Sequence, residues 1–230
     1  MVLGNGSNVL VSDAGFGGAV FRLKESLASV EVDGEALDAG GGALLGAAVS
    51  KALRASLSGL EFALGIPGTV GGAVMTNAGT FVGSIAASLS TVEAVDRSGE
   101  PMTIDRFEDV YRAPLIEEEL VVAGACFGLT RADGASIRGR MDEVRSRREG
   151  SQPQTAATAG SVFKNPPGEP AGRLLDQCGL KGKTVGGASV SGVHANFIVN
   201  NGGATSADIK TLMDTMAREV ERTFGVRLQA

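Results

Sequence analysis

The sequence predicts an α+β protein built from two units. Short runs of β-branched and other apolar residues, separated by turn dipeptides, dominate the first part of the chain. A strongly charged helical stretch follows at residues 138–149, and the remainder combines short strand-like runs with helices. We therefore predict a first domain over residues 1–137, a solvated connector helix over 138–150 and a second domain over 151–230.

The elements of the first domain are mostly short strands. The predicted strands cover residues 9–11, 19–21, 29–32, 92–96 and 120–130. The dipeptides Asp-Gly at 33–34 and Ser-Gly at 98–99 are typical of hairpin turns. Apolar residues at helical spacing over residues 44–53 predict one interrupting helix, with Gly59 soon after its end.

The second domain contains the clearest helix of the chain. Apolar residues at three- and four-residue spacing predict an amphipathic helix over 209–224, and they include two methionines that we expect in the core. Thr205 or Ser206 can cap its start, and Gly225 can end it. The other predicted elements are a helix over 170–178 stopped by Gly179, and strands over 185–190 and 195–199.

The composition excludes several classes of function. Twenty-one Lys and Arg against 26 Asp and Glu give a net charge of -5, which argues against a nucleic-acid partner. With one His and two Cys in the chain, a zinc or iron site built from such residues is excluded, so we expect no metal. Neither a secretory signal nor a membrane span is visible, which predicts a cytoplasmic protein without a membrane partner. Cys126 and Cys178 fit free thiols of a reducing compartment, although a disulfide between them stays open.

Glycine is the unusual component, with 34 of 230 residues. Residues 62–92 carry no charge and mix glycine with small polar residues, a pattern poor for a helix or a core strand and typical of a ligand-binding loop. The stretches GNGSN at 4–8 and GIPGTVGG at 65–72 can present successive amide N–H groups to a diphosphate, or they can be tight turns between strands. The dinucleotide pattern G-x-G-x-x-G fails at its last glycine both at residue 9 and at residue 45.

Seven segments resemble, in the same order, the motifs of the UDP-N-acetylenolpyruvoylglucosamine reductase family. They are GNGSNVLVSD at 4–13, SGLEF at 58–62, GIPGTVGGA at 65–73, NAG at 77–79, YR at 111–112, AGSVFKNP at 159–166 and HANFIVN at 194–200. The glycine motifs are shared with other flavoproteins, whereas the last two are far more specific. The resemblance covers essentially the whole chain.

The resemblance implies an FAD-binding domain of the vanillyl-alcohol-oxidase type followed by an α+β substrate-binding domain. It also implies the shorter subtype of the family, which lacks a tyrosine loop inserted over the active site. The implied activity is reduction of the enolpyruvyl ether of a UDP-sugar in peptidoglycan precursor synthesis, with FAD as cofactor and NADPH as the hydride source.

The resemblance also implies roles for individual residues. Arg112 would stabilise the negative charge that develops beside the substrate carboxylate, and Ser161 would deliver a proton to carbon. The residues implied in substrate binding are Tyr111, Asn165, Lys181 and His194. The residues implied in FAD binding are Gly4, Asn5, Gly6, Ser7, Asn8, Gly65, Pro67, Gly68, Thr69, Gly71, Gly72, Asn77 and Gly79.

Two departures from the family pattern leave alternatives open. The family begins a few tens of residues earlier and ends with a strand that carries a catalytic glutamate, so we expect both segments to lie outside this sequence. We also note that Ala113 and Pro114 replace the small polar pair that usually follows the arginine. The alternatives are a non-catalytic form that binds a UDP-sugar or a partner protein, and another FAD-linked oxidoreductase of the same fold.

Overall fold

The computed structural model describes residues 1–153 and 156–230. The chain forms two compact units, one of Met1–Ser7 with Gly18–Ser146 and one of Asn8–Gly17 with Arg147–Ala230. The sequence did not predict that Asn8–Gly17 groups with the second unit. Its domain boundaries stay a prediction.

Both units combine helices with antiparallel strands, which confirms the α+β class. The helices are α1 (Leu45–Arg54), α2 (Val70–Met75), α3 (Gly134–Ser151), α4 (Ala171–Gln177) and α5 (Ser206–Phe224). The strands are β1 (Val30–Asp33), β2 (Ala36–Gly40), β3 (Leu57–Ser58), β4 (Gly79–Thr80), β5 (Gly83–Ser84), β6 (Leu89–Val95), β7 (Pro101–Ile104), β8 (Val121–Gly128), β9 (Thr130–Arg131), β10 (Thr184–Val185), β11 (Ala188–Val190) and β12 (Ile198–Asn200). None of the helices in the described ranges has the length and apolar character that a bilayer crossing requires.

The first unit is organised around an antiparallel sheet with the strand order β1-β2-β8-β6-β7. Its core includes Leu37, Val92 and Phe127, each fully buried. The predicted turns at 33–34 and 98–99 are confirmed, because Gly34 and Gly99 take positive φ angles of +60° and +91° between paired strands.

Three predictions made for residues 1–137 are wrong. Residues 9–11 and 19–21 form no strands, because their side chains are exposed and find no ladder beyond a bridge between Val2 and Phe21. The glycine-rich region does contain a helix, the short α2. It forms because the Thr69 hydroxyl accepts a hydrogen bond of 3.3 Å from the Gly72 amide and so caps its first turn.

The charged helix α3 is longer than predicted and is not fully solvated. The Asp133 carboxylate accepts hydrogen bonds from the amides of Ala135 and Ser136, at 3.1 and 3.0 Å, which fixes its start. Ile137 and Met141 are buried in the core of the first unit. One stripe of the predicted connector is therefore a packing surface.

The second unit packs α4 and α5 with the antiparallel sheet β10-β11-β12. Thr205 and Asp208 form a reciprocal capping box at the start of α5, and Gly225 ends the helix in the left-handed conformation, as predicted. The strand predicted over 185–190 is instead a hairpin, since Gly186 takes a φ of +51° and reverses the chain.

Candidate active site

The two glycine-rich loops of the first unit lie against each other. Gly4 is so close to Thr69 that a Cβ atom on Gly4 would lie 2.5 Å from the Thr69 Oγ1 atom. A Cβ atom on Gly68 would lie 3.0 Å from the Ser7 hydroxyl oxygen. Gly6 and Gly68 have φ angles of +70° and +120°, which residues with side chains rarely adopt. The loops therefore form one surface of bare main chain.

Many amides of this surface have no acceptor within the protein. In the part of the chain that the structure describes, the N–H groups without a protein acceptor include those of Asn5, Gly6, Ser7, Gly68 and Thr69. Neighbouring amides of this kind bind anionic oxygens well. The diphosphate of FAD fits this donor set. The described residues include no group of three or more His, Cys, Asp or Glu that could hold a metal ion.

Not every glycine of the loop faces a ligand. The Gly71 amide donates a hydrogen bond of 2.9 Å to the Gly41 carbonyl, and a Cβ on Gly71 would lie 2.9 Å from that same oxygen. The Gly71 amide is therefore used within the protein, and a role of Gly71 in FAD binding stays a prediction. Gly65 and Pro67 are exposed in the loop, whereas Asn8 belongs to the second unit.

Arg112 is held by main-chain carbonyl groups. Its Nη1 atom donates a hydrogen bond of 2.8 Å to the Asn77 carbonyl, and its Nη2 atom donates a short one to the Gly79 carbonyl. The guanidinium carbon also lies 5.5 Å from the centre of the Tyr111 ring. Asn77 and Gly79, predicted to bind FAD, are thus neighbours within the first unit of Tyr111, predicted to bind substrate, and of Arg112, predicted to stabilise charge.

The side chain of Asn77 is buried and fully engaged. It is 1% exposed, and its amide nitrogen donates to Asp109 Oδ1 at 2.8 Å and to the Val110 carbonyl at 3.1 Å. Its amide oxygen accepts a hydrogen bond of 3.2 Å from the Ala86 amide. Both hydrogens of the amide nitrogen are therefore used within the protein, and a role of Asn77 in FAD binding stays a prediction.

Glu61 anchors the segment that leads into the second glycine-rich loop. Its carboxylate accepts hydrogen bonds of 2.7 Å from the Gly59 amide and of 3.0 and 2.8 Å from the Arg140 guanidinium. Burial opposes ionisation, but these hydrogen bonds outweigh it and hold the pKa of Glu61 below its usual value. Glu61 belongs to the SGLEF motif, but the motif alone does not predict this anchoring role.

In the second unit, Ser161 lies on a strand-like segment beside the HANFIVN motif. Ser161 pairs with Phe197 in an antiparallel bridge, and the Val162 amide donates a hydrogen bond of 2.8 Å to the Asn196 carbonyl. The Asn196 side chain is 2% exposed. It accepts a hydrogen bond of 3.0 Å from the Phe163 amide and donates one of 2.8 Å to the Phe163 carbonyl. The backbone around the exposed Ser161 is thus held on both sides, and the two most specific motifs are adjacent in space.

The single histidine packs into a niche left by a glycine. The Nδ1 atom of His194 accepts a hydrogen bond of 3.1 Å from the Asn196 amide, so the neutral ring carries its proton on Nε2. Its ring meets Phe197 edge to face at 5.0 Å between centroids. A Cβ on Gly172 would lie 2.5 Å from the Cε1 atom of His194. Nε2–H is therefore the ring's hydrogen-bond donor.

Two other predicted substrate residues already have protein contacts. Lys181 donates a hydrogen bond of 2.8 Å to Asp176, and Asn165 accepts one of 3.0 Å from the Ala171 amide.

Burial and the positive charge of Lys181 lower the pKa of His194, while the negative charge of Asp176 raises it. This shift and the hydrogen bond accepted at Nδ1 both favour the neutral form of His194.

The first unit defines the class of the protein. Residues 1–105 match the family model described as the FAD binding domain. Together with the amide-lined loops, this match makes the chain an FAD-binding flavoprotein.

The second unit and the whole-chain comparisons define the family. Residues 152–230 match the model of the UDP-N-acetylenolpyruvoylglucosamine reductase C-terminal domain. The chain is 45% identical to UDP-N-acetylenolpyruvoylglucosamine reductase 2 of Symbiobacterium thermophilum, over 100% of this chain and 75% of the relative. It is 44% identical to the reductase of Nitrobacter winogradskyi, over 99% of this chain and 75% of that protein.

A solved structure agrees with these relatives. The crystal structure of UDP-N-acetylenolpyruvylglucosamine reductase from Thermus caldophilus matches with a TM-score of 0.89 and 40% identity, over 99% of this chain and 83% of that chain. The chain belongs to the UDP-N-acetylenolpyruvoylglucosamine reductase family, which confirms the family and the fold class that its motifs predicted.

Proposed function

We propose that this protein reduces UDP-N-acetylglucosamine enolpyruvate to UDP-N-acetylmuramate with NADPH, in peptidoglycan precursor synthesis. The observation that carries the proposal is Ser161, exposed within an intact AGSVFKNP segment and paired with the HANFIVN motif. Family membership over the whole chain supports the same reaction.

The glycine-rich loops of the first unit would hold the cofactor. Amide N–H groups of residues 5–7 and of Gly68 and Thr69 would bind the FAD diphosphate, and the scarcity of side chains lets it approach the main chain closely. When bound, FAD supplies hydride transfer from NADPH to the terminal carbon of the enolpyruvyl group. The remaining chemistry belongs to side chains of this protein.

Arg112 would stabilise the charge that follows hydride addition. The added electron pair leaves negative charge on the carbon beside the carboxylate, where it spreads into that carboxylate as an enolate. Arg112 suits this charge because, within the described residues, no carboxylate oxygen lies within 4.0 Å of its guanidinium to neutralise it. The two carbonyl groups that hold Arg112 direct the guanidinium without removing its charge.

Ser161 would complete the reaction by giving its hydroxyl proton to the enolate carbon, and solvent would then return a proton to the serine oxygen. A serine hydroxyl is a weak acid, but an enolate held beside it is a strong base, so the transfer depends on position. The Asn196 side chain supplies that position by fixing the backbone at Phe163. The hydroxyl thus sits on a rigid segment.

The remaining predicted residues would bind the UDP-sugar. His194, neutral and with its proton on Nε2, can donate to a phosphate or sugar oxygen. Lys181 would add a positive charge, Asn165 an amide nitrogen and Tyr111 an exposed aromatic ring. We also propose a cytoplasmic location, which the two free thiols support.

The test follows the two half-reactions separately. Purified protein should show flavin absorbance that NADPH bleaches and that the enolpyruvyl sugar restores. Ser161→Ala should leave bleaching by NADPH intact and slow restoration by about 10²–10⁴-fold, the usual worth of a positioned proton donor. Ser189→Ala, a hydroxyl removed from β11 of the same unit, is the matched control and should change neither step.

The same experiment separates the alternatives. A colourless protein that still binds the UDP-sugar would contradict the reductase and favour the non-catalytic form. If both proteins are yellow and the enolpyruvyl sugar restores flavin absorbance as fast in Ser161→Ala as in the unchanged chain, the role of Ser161 is contradicted.

A further inference from the structure

The segment that carries Arg112 is hydrogen-bonded to both strands of a small hairpin. β4 and β5 pair through Gly79 with Ser84 and through Thr80 with Gly83. On the β4 side, Arg112 donates hydrogen bonds to main-chain carbonyls, including that of Gly79. On the β5 side, the Ser84 hydroxyl donates a shared hydrogen bond to the Asp109 carboxylate, with its oxygen 3.1 and 3.2 Å from the two carboxylate oxygens. Two residues three positions apart thus hold one hairpin from opposite sides.

Asn77 joins these two contacts into one network. Its side-chain amide donates a hydrogen bond of 2.8 Å to Asp109 Oδ1, and its main-chain carbonyl accepts one of 2.8 Å from Arg112 Nη1. The residue has a φ of +40°, in the left-handed region, which asparagine adopts more readily than most residues that carry a side chain. Because Asp109 fixes the side chain of Asn77, the contact helps to decide where the Asn77 carbonyl points.

Arg112 has a strained backbone, with a φ of +54°. Its guanidinium takes its direction from the carbonyl groups of Asn77 and Gly79, not from a carboxylate. A shift of those carbonyls therefore moves the guanidinium directly. Asp109 acts one step away, so it can orient Arg112 without neutralising it.

We propose that Asp109 is a positioning residue that orients Arg112 through the Asn77 carbonyl for stabilisation of the substrate enolate. The proposal rests on the function proposed for Arg112. Asp109 touches neither substrate nor cofactor in this scheme. Its effect should therefore appear only in the step that uses Arg112.

The kinetic test compares variants in the two half-reactions. Asp109→Ala should slow reoxidation of the NADPH-reduced enzyme by the enolpyruvyl sugar about tenfold to 100-fold, the cost of a misplaced catalytic group. Reduction by NADPH should stay unchanged. Asp109→Asn should restore most of the rate, because its Oδ1 can still accept from Asn77 and Ser84. Glu108→Ala removes an adjacent exposed carboxylate and is the matched control.

A double-mutant cycle separates positioning from general damage. Once Arg112→Ala has been made, adding Asp109→Ala should slow reoxidation no further. Equal slowing by Asp109→Ala in the presence and absence of Arg112 would overturn the proposal, and so would a parallel loss in the NADPH step.

A second readout needs no turnover. In ¹⁵N–¹H spectra, Asp109→Ala should speed solvent exchange of the Asn77 side-chain amide and shift the Arg112 Nε–Hε resonance, whereas Glu108→Ala should do neither. An unmoved Arg112 resonance would overturn the link between the two residues. If the resonances move but Arg112→Ala reoxidises at the normal rate, the function proposed for Arg112 fails and the Asp109–Arg112 link stands.

Discussion

The glycine-rich loops of the first unit and the Ser161 segment of the second unit solve opposite problems. In the loops, amides are left without protein acceptors and side chains are kept away, so the main chain itself is the binding surface. Around Ser161 the main chain is bonded on both sides, and the side chain projects from it. A site that grips an anion needs open amides, whereas a site that transfers a proton needs one well-fixed hydroxyl. The two regions should therefore respond differently to substitution.

The largest effect on stability is expected where the hydrogen bonds that hold the backbone near Ser161 are removed. Asn196→Ala removes both hydrogen bonds to Phe163 and leaves a buried N–H and C=O unpaired. At about 1–3 kcal/mol for each of the two groups, the free energy of unfolding should fall by about 2–6 kcal/mol. Urea denaturation followed by circular dichroism measures it. Asn201→Ala removes an exposed contact to Ser189 and should cost under about 1 kcal/mol. Equal losses in the two variants would show that the backbone at Phe163 is not held as described.

Adding a methyl group to the open loops should weaken cofactor binding. In Gly4→Ala the new Cβ would lie 2.5 Å from Thr69 Oγ1, and in Gly68→Ala it would sit on a backbone with a φ of +120°. Strain of about 1–3 kcal/mol should raise the FAD dissociation constant by about tenfold to 100-fold. Fluorescence titration of the flavin-free protein with FAD measures the change.

The control for this comparison is Gly46→Ala in α1, where nothing lies within 4 Å of the added Cβ. It should leave the dissociation constant unchanged and add about 0.5–1 kcal/mol to the free energy of unfolding, because alanine favours helix more than glycine does. Unweakened FAD binding in Gly4→Ala and Gly68→Ala would mean that the loops do not grip the cofactor through their main chain.

The smallest expected effect is the pH dependence of stability that comes from His194. Because burial and Lys181 lower the pKa of His194, the folded chain binds a proton less readily than the unfolded chain. Stability from this group is fully present above the unfolded value and falls as the pH drops from there through the folded pKa. The chain has one His, so its Hε1 resonance in an untagged sample gives the pKa directly. A folded value at or above that in urea would contradict the described burial.

The sequence predicted elements well where local patterns decide them. The amphipathic helix α5 with Thr205 and Gly225 at its ends, and the turns at 33–34 and 98–99, follow from spacing, capping and glycine chemistry. Strands predicted at 9–11 and 19–21 failed because apolar runs without a pairing partner form no ladder. Partners are set by the fold and not by the run itself.

The candidate site was predictable in its motifs and less so in its contacts. Ser161 and Arg112 came from motif resemblance, and their roles remain proposals. Asp109 carried no signal, because an acidic residue in an exposed segment resembles many others and only the fold brings it to Asn77. Gly71 looked like its neighbours in the loop, but its amide serves the Gly41 carbonyl.

The contact between Gly172 and His194 ties two distant positions of the sequence together. The imidazole of His194 occupies the space that a side chain at position 172 would need. Gly172→Ala should therefore displace the ring from its packed position. A chain with alanine at 194 should in turn accept alanine at 172. Members of the family are therefore expected to change these two positions jointly.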